Sequence, residues 1–198
     1  MVAGPLKEAA GKGWKLFLVM AGCNALFIFL GLVLSPTASA SASASTPSQA
    51  VQLPSVPYVT YQLLLHVVTG FAAGAVSLDP AVAMIGGAVG PLIDFDHLGF
   101  FAGLPVEARV GHSLFLVALI VVLDRRLHFW GRGTRNLFLF LALEYSVHFA
   151  VAPPGFTLFA PLSFAKIDFP RVLPAALAVV IAVAFLFDSI RSRWRAPP

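Results

Sequence analysis

Seven ionisable residues interrupt segments of this chain that are otherwise apolar. They are His66, Asp94, Asp96, His97, His112, Glu144 and His148. Imidazoles combined with carboxylates are the ligands of zinc and other transition-metal sites. A bound dication would also offset the cost of burying carboxylates in an apolar interior. These residue types therefore predict a site for a divalent metal, and zinc is the ion we expect.

Each of the seven residues has a predicted role. The predicted metal ligands are His66, Asp94, Asp96, His97, His112 and His148. Glu144 or Asp96 is the predicted general base for a water activated by the metal. On a helix, Asp94 and His97 share a face, as do Glu144 and His148, because they are three and four residues apart.

The composition indicates where such a site would lie. Of 198 residues, 59% are hydrophobic and only 11% are charged, whereas soluble domains average about a quarter charged residues. The chain is too apolar for a disordered or collagen-like protein, and its single cysteine, Cys23, excludes an intrachain disulfide scaffold. The composition is typical of a multi-span membrane protein.

Six apolar runs are long enough, or nearly so, to cross a bilayer. They are Phe17–Leu34, Tyr58–Leu78, Pro80–Phe101, Val106–Leu123, Asn136–Ala152 and Val172–Phe187. None alternates as the strands of a membrane barrel do. We therefore predict an all-α bundle of about six transmembrane segments, of which glycines and Pro91 break the third. The predicted hydrolase-like bundle domain is 58–190, and 191–198 forms a basic tail.

The first run allows more than one interpretation. We expect 1–35 to be a retained transmembrane anchor, but its basic start and the following Ala/Ser repeat also fit a signal peptide. Ala21-Gly22-Cys23 weakly resembles a lipoprotein signal. Residues 36–57 are predicted to be an uncharged, flexible linker.

The basic residues predict the orientation of the bundle. Ten of the 13 Lys and Arg residues lie before the first run, between the fourth and fifth, or after the sixth. Six crossings place these three clusters on one side, which the positive-inside rule makes the cytoplasm. We therefore expect an integral protein of the plasma or inner membrane, with both termini cytoplasmic. Because this charge surplus is a topology signal, we expect no nucleic-acid partner.

In this orientation, the seven ionisable residues lie at a similar depth. At 1.5 Å per helical residue, all are roughly 5–12 Å below the outer surface. His128 is excluded, because it belongs to a basic cytoplasmic loop. A shared depth is what one site built from several helices requires.

Other interpretations of these residues remain open. The Asp94–His97 segment and the His112-Ser113 pair fit helix ends that are capped by polar side chains. Glu144 and His148 fit a structural hydrogen bond, and His66 fits a bond between helices. Ser113 is either a cap or, less favourably, a nucleophile.

The assembled motifs resemble those of membrane-bound, metal-dependent hydrolases of the LexA-binding, inner-membrane-associated type. The resemblance spans Leu65 to Ser163 and rests on five elements. They are His66, Pro91-Leu-Ile-Asp-Phe-Asp-His97, Gly111-His112-Ser113, His148 and Gly155-Phe-Thr-Leu-Phe-Ala-Pro161. The resemblance implies that His66, Asp94, Asp96, His97, His112 and His148 form the polar site. Two positions differ from that family, which has another histidine near Glu107–Val110 and an aspartate at the place of Ala152.

The favoured function is a metal-dependent membrane hydrolase with an extracytoplasmic-side site. Its depth suits an amphipathic substrate that enters from the membrane lipids, such as a lipid ester or phosphoester. The alternatives are a metal or ion transporter and a non-catalytic scaffold in which the polar cluster only locks helices together.

Metal analysis of the purified protein tests these alternatives. We expect the wild-type chain to carry a divalent metal, and His97→Ala and His148→Ala each to lower its content, because each removes a predicted ligand. Unchanged metal content in both variants would contradict the predicted site.

Overall fold

A computed structural model describes residues 3–34, 56–94, 110–151, 156–160, 162–163 and 165–195. Within these ranges the chain is helical and has no strand beyond one isolated bridge, Phe156 with Ile167. The all-α prediction is therefore confirmed. Asp96, His97 and most of the predicted linker lie outside the described residues.

The described residues contain six α-helices, joined in part by two short 3₁₀ turns. The helices are α1 (Ala3–Leu34), α2 (Val56–Ala75), α3 (Pro80–Val89), α4 (Leu114–Leu127), α5 (Thr134–Val151) and α6 (Val172–Arg195). The first 3₁₀ turn, Gly90–Asp94, continues α3, and the second, Val110–His112, precedes α4. Each α-helix overlaps one of the six apolar runs.

Three boundaries are informative. The third run changes from α-helix to 3₁₀ turn at Gly90, next to Pro91, and Gly90 keeps a right-handed helical backbone, so the helix tightens here instead of breaking. Helix α4 begins at Leu114 rather than Val106, because Ser113 caps it with its side chain. Helix α6 continues to Arg195, so the first residues of the predicted basic tail are helical.

Two of these helices are long and apolar enough to cross a membrane among the residues described. The qualifying segments are Gly13–Leu30 and Val172–Trp194, with mean hydropathies of 1.7 and 2.3. Only 22% of the second segment is buried, so it presents large apolar side chains such as Val180 and Phe187 on the surface. Helix α4, at 14 residues, is about 21 Å long, which is shorter than a typical hydrocarbon core.

Glycines determine how closely α2 and α3 pack. A Cβ atom added at Gly70 would lie under 3.0 Å from the Gly86 carbonyl oxygen, and one at Gly86 equally close to that of Gly70. Gly74 faces the Val82 carbonyl in the same way, and Gly90 faces the carbonyl of His66. The two helices thus meet through small-xxx-small motifs that bring their backbones into contact.

The four-residue spacing of these glycines extends to two of the ionisable residues. His66 lies four residues before Gly70, and Asp94 lies four residues after Gly90. Since the two helices are antiparallel, the same face that carries the glycines carries His66 and Asp94 towards each other. The tight hairpin therefore determines the distance between these two side chains.

Three segments meet at the other end of the bundle. Asp79 caps the start of α3 and pairs with Arg132 of the α4–α5 connection. The Arg193 guanidinium donates to the Leu78 carbonyl, and Arg135 of α5 pairs with Asp188 of α6 at 3.3 Å. Two of the three basic clusters, that of the α4–α5 connection and that of the end of α6, thus lie near the α2–α3 turn, and we call this part of the bundle the basic end.

Asp124 stabilises the connection at the basic end. This carboxylate is 1% exposed and accepts hydrogen bonds from the Trp130 amide at 2.8 Å and the Thr134 hydroxyl at 3.0 Å. Its own carbonyl accepts from the His128 amide, where α4 ends in the left-handed conformation. Asp124 is therefore engaged in shaping the α4–α5 turn.

Enlarging a glycine at the α2–α3 contact tests the packing argument. We expect Gly70→Ala and Gly86→Ala each to destabilise the protein by about 1–3 kcal/mol, because the added methyl group meets a backbone carbonyl that cannot move alone. Thermal unfolding in detergent measures this change. Gly22→Ala is the matched control, since its Cβ would meet nothing within 4 Å; equal losses in all three variants would refute the explanation.

Candidate metal centre

Four predicted ligands come together from four places in the fold. His66 lies in the middle of α2, and His148 lies near the end of α5. Asp94 ends the first 3₁₀ turn and His112 ends the second. The three histidines are each at most 3% exposed, and the Asp94 side chain is 12% exposed.

The histidines direct the same ring nitrogen towards the Asp94 carboxylate. The His66 Nε2 atom is 2.7 Å from Asp94 Oδ2, while the His112 Nε2 atom is 3.2 Å from Oδ1. The His148 Nε2 atom is 4.0 Å from Oδ1 and 2.7 Å from His112 Nε2. Two carboxylate oxygens and three imidazole nitrogens therefore surround one small volume.

These donor atoms lie close enough together to hold one metal ion. Ligands about 2.0–2.1 Å from a tetrahedral zinc ion are about 3.3 Å from one another. The observed separations of 2.7 to 4.0 Å lie on both sides of that value. His66, Asp94 and His148 are the set whose donor atoms all lie within 4.8 Å of one another.

A three-residue ligand set has a chemical consequence. Catalytic zinc sites use three protein ligands and leave one position for water or substrate, whereas structural sites use four. His66, Asp94 and His148 can supply the three, and His112, whose Nε2 atom is 3.2 Å from Asp94 Oδ1, lies next to them. If His112 also coordinated the metal, the site would be closed.

Aromatic side chains form one wall of the centre. The rings of His66 and His148 are 4.7 Å apart, and those of His112 and His148 are 4.6 Å apart. Phe156 packs against His112 at 5.6 Å and against Phe149 at 4.6 Å. This wall holds the imidazoles in place and lowers the local polarity, which strengthens electrostatic interactions inside the site.

Glu144 lies one helical turn before His148, on the side towards the basic end. It is 1% exposed, and its Oε1 atom accepts from the Thr69 hydroxyl at 3.2 Å. A Cβ atom at Gly90 would lie 3.4 Å from the same oxygen. The Glu144 Oε2 atom has no hydrogen-bond partner among the described residues. Glu144 is thus next to the metal centre without belonging to the ligand set.

The remaining predicted residues have different placements. Ser113 accepts from the Phe115 amide and donates to the Ala160 carbonyl, so its hydroxyl acts as a helix cap and a link to the 156–160 segment. His128 is exposed at the basic end, as expected. Asp96 and His97 lie outside the described residues, and their predicted ligand roles stay predictions.

Sequence reasoning missed three residues that support the centre. The Tyr145 hydroxyl donates to the Gly111 carbonyl at 2.6 Å and so holds the turn that carries His112. Thr69 holds Glu144, and Asn24 of α1 bonds the turn that carries Asp94. The available signal was weak, because each is a single polar residue within an apolar run.

Comparisons of this chain with protein-family models, with curated proteins and with solved structures find no match. The family resemblance therefore stays a prediction, and the argument for the site rests on its geometry.

Substitution of the three-residue set tests that geometry. We expect His66→Ala and Asp94→Asn each to weaken zinc binding by at least about 100-fold, because each removes a ligand. Equilibrium dialysis against zinc measures the affinity. His128→Asn is the matched control, since this histidine is exposed and asparagine tolerates its left-handed backbone. An equal loss in the control variant would rule out a specific site.

Proposed function

We propose that this chain is a zinc-dependent hydrolase of the membrane, with its site near the extracytoplasmic face. The observation that carries the proposal is the convergence of three buried imidazole nitrogens on the Asp94 carboxylate. Such a set has the donor chemistry of a hydrolytic zinc centre. The motif resemblance described above favours the same function.

The membrane part of the proposal is supported by the exposed apolar surface of α6. A soluble protein rarely leaves so large an apolar face unpaired, whereas lipid would cover it. Helix α1 supplies a second segment of sufficient length. The four other helices are proposed to complete a six-span bundle, with shorter helices extended by the 3₁₀ turns.

The proposed depth follows from helix lengths. The ten residues of α3 and five of the 3₁₀ turn separate Asp79 at the basic end from Asp94 by about 25 Å. Along α5, Thr134 and His148 are about 21 Å apart. In a hydrocarbon core about 30 Å thick, the centre would lie towards the face opposite the basic end. The positive-inside rule makes that face extracytoplasmic.

Each residue of the centre has a separate role in the proposed hydrolysis. His66, Asp94 and His148 would hold the metal, which when bound supplies Lewis acidity and lowers the pKa of water in the site. Glu144, which accepts a hydrogen bond from Thr69 and lies one helical turn before His148, would accept the proton that the attacking water loses. His112 would lie beside the substrate's reacting group, and the Phe149–Phe156 wall would exclude bulk water.

The proposed substrate is a lipid ester or phosphoester, and a neighbouring cleft supports this class. A cleft of about 340 Å³ lies between α2, α5 and α6 and is lined by alanines, valines and Leu143. Its polar lining residue is Thr69, which also bonds Glu144. An apolar cleft lined by the residue that bonds the proposed base suits an amphipathic substrate.

Helices α2 and α3 favour hydrolysis over ion transport. Between the centre and the basic end, α2 and α3 carry no ionisable side chain from Val67 to Leu78 or from Pro80 to Ile93. Ion pathways through membranes are lined by polar or ionisable groups. The proposed partners are therefore membrane lipids rather than transported ions.

Glu144→Gln separates catalysis from metal binding. We expect this variant to keep its zinc, because Glu144 is outside the ligand set, and to lose about 10²–10⁴-fold in hydrolysis, because the amide cannot accept the proton. Zinc content is measured by elemental analysis. Hydrolysis is measured with vesicles of fluorogenic phospholipid and with nitrophenyl ester and phosphodiester probes.

Ser146→Ala is the matched control for this experiment. Ser146 lies on the same helix and bonds only the Ala142 carbonyl of that helix, so its loss should leave both readouts unchanged. A wild-type chain without metal, or full hydrolysis by Glu144→Gln, would contradict the proposed mechanism. Zinc binding without hydrolysis of any probe would favour a structural metal in a scaffold.

A further inference from the structure

Helix α1 packs into the bundle through a narrow stripe. Leu16, Met20 and Cys23 are buried along one face, and Gly13 approaches Ile85 of α3 so closely that an added Cβ atom would lie 3.0 Å away. Asn24 belongs to the same stripe and is 0% exposed. It is the polar member of the buried set of α1 among the described side chains.

Asn24 connects α1 to the turn that carries Asp94. Its Nδ2 atom donates to the Leu92 carbonyl at 3.2 Å and to the Met20 carbonyl of its own helix at 3.0 Å. A buried amide in apolar surroundings is costly unless it is hydrogen-bonded. The bond to Leu92 crosses 68 positions of sequence, so it joins two separate parts of the fold.

Leu92, whose carbonyl accepts this hydrogen bond, lies two positions before Asp94 in the sequence. The 3₁₀ turn Gly90–Asp94 is short, and carbonyls near a helix end lack partners within the helix. Pro91 supplies no amide hydrogen to the turn. A donor from outside therefore fixes the orientation of this backbone, and with it the direction of the Asp94 side chain.

Helix α1 also packs against the second 3₁₀ turn, Val110–His112. The four side chains of the centre thus project from two kinds of backbone. His66 and His148 project from regular α-helices, whereas Asp94 and His112 project from 3₁₀ turns that both contact α1.

We infer that α1 is part of the metal centre and that Asn24 is a positioning residue for Asp94. This inference rests on the proposed metal site. It assigns a further role to a segment whose sequence predicts only an anchor or a signal peptide. Removing outer-sphere partners of metal ligands typically costs 10–100-fold in metal affinity.

Asn24→Leu tests the inference, because it keeps the side-chain volume and removes the donor. We expect zinc affinity to fall about tenfold or more, and the visible spectrum of the cobalt-substituted protein to change, because Asp94 is no longer held. Leu26→Ala is the matched control, since Leu26 is 47% exposed on the same helix. A merely structural Asn24 would alter unfolding and leave the cobalt spectrum of the folded protein unchanged.

The wild-type chain provides a second test that does not depend on Asn24→Leu. If α1 positions the centre, metal binding must hold α1 more tightly, because the coupling between two sites is reciprocal. Cys23 is the single, buried thiol of the chain. We expect its alkylation by a maleimide in detergent to be several-fold slower with zinc than with chelator. His148→Ala should abolish this protection.

The outcomes separate the two proposals. A wild-type chain that binds no metal overturns both the proposed function and this inference. Normal metal binding overturns the inference alone if Asn24→Leu retains the wild-type affinity and cobalt spectrum. If Asn24→Leu does not fold, a Cys23 alkylation rate that is unaffected by zinc overturns it.

Discussion

Three imidazoles and a carboxylate face one another in an apolar interior, and the fold is arranged around that cluster. Burying an ionised carboxylate among apolar side chains is costly unless charge and hydrogen bonds compensate for it. Asp94 has three histidine ring nitrogens within 4.0 Å, and all three histidines are buried. We propose that a dication held by His66, Asp94 and His148 accounts for this convergence.

Close helix packing and hydrogen bonds to the 3₁₀ turns hold the cluster in place. The glycine register of α2 and α3 brings the backbones into contact, so that His66 and Asp94 meet across the hairpin. Hydrogen bonds from outside hold the irregular segments: Asn24 bonds Leu92 before Asp94, and Tyr145 bonds Gly111 before His112. Regular α-helices thus carry two of the four side chains, and 3₁₀ turns that are bonded by α1 and α5 carry the other two.

Much of this arrangement could be predicted from the sequence, for a simple reason. In a chain this apolar, each ionisable residue is conspicuous, and His66, Asp94, His112 and His148 were all identified as members of one site. The spacing of Glu144 and His148 correctly placed both on one helix face. It could not show that Glu144 faces Thr69 one turn deeper, because a helical spacing specifies a face and leaves the neighbouring helix undetermined.

Other features were beyond sequence reasoning. The apolar run that begins at Val106 predicts a longer helix, and the cap at Ser113 was one of two interpretations of that residue. Its partners in the 156–160 segment become neighbours only in the fold. Asn24 looked unremarkable within a long apolar helix, because its partner lies 68 residues away. The six helices overlap the six predicted runs, while the membrane crossing of these helices stays a prediction.

X-ray absorption spectroscopy at the zinc edge of the purified wild-type protein tests the central claim most directly. The account predicts one zinc per chain with nitrogen and oxygen ligands at about 2.0–2.1 Å, and with the multiple-scattering signature of at least two imidazoles. A protein that retains no metal, or a zinc coordinated by water alone without imidazole scattering, would contradict it.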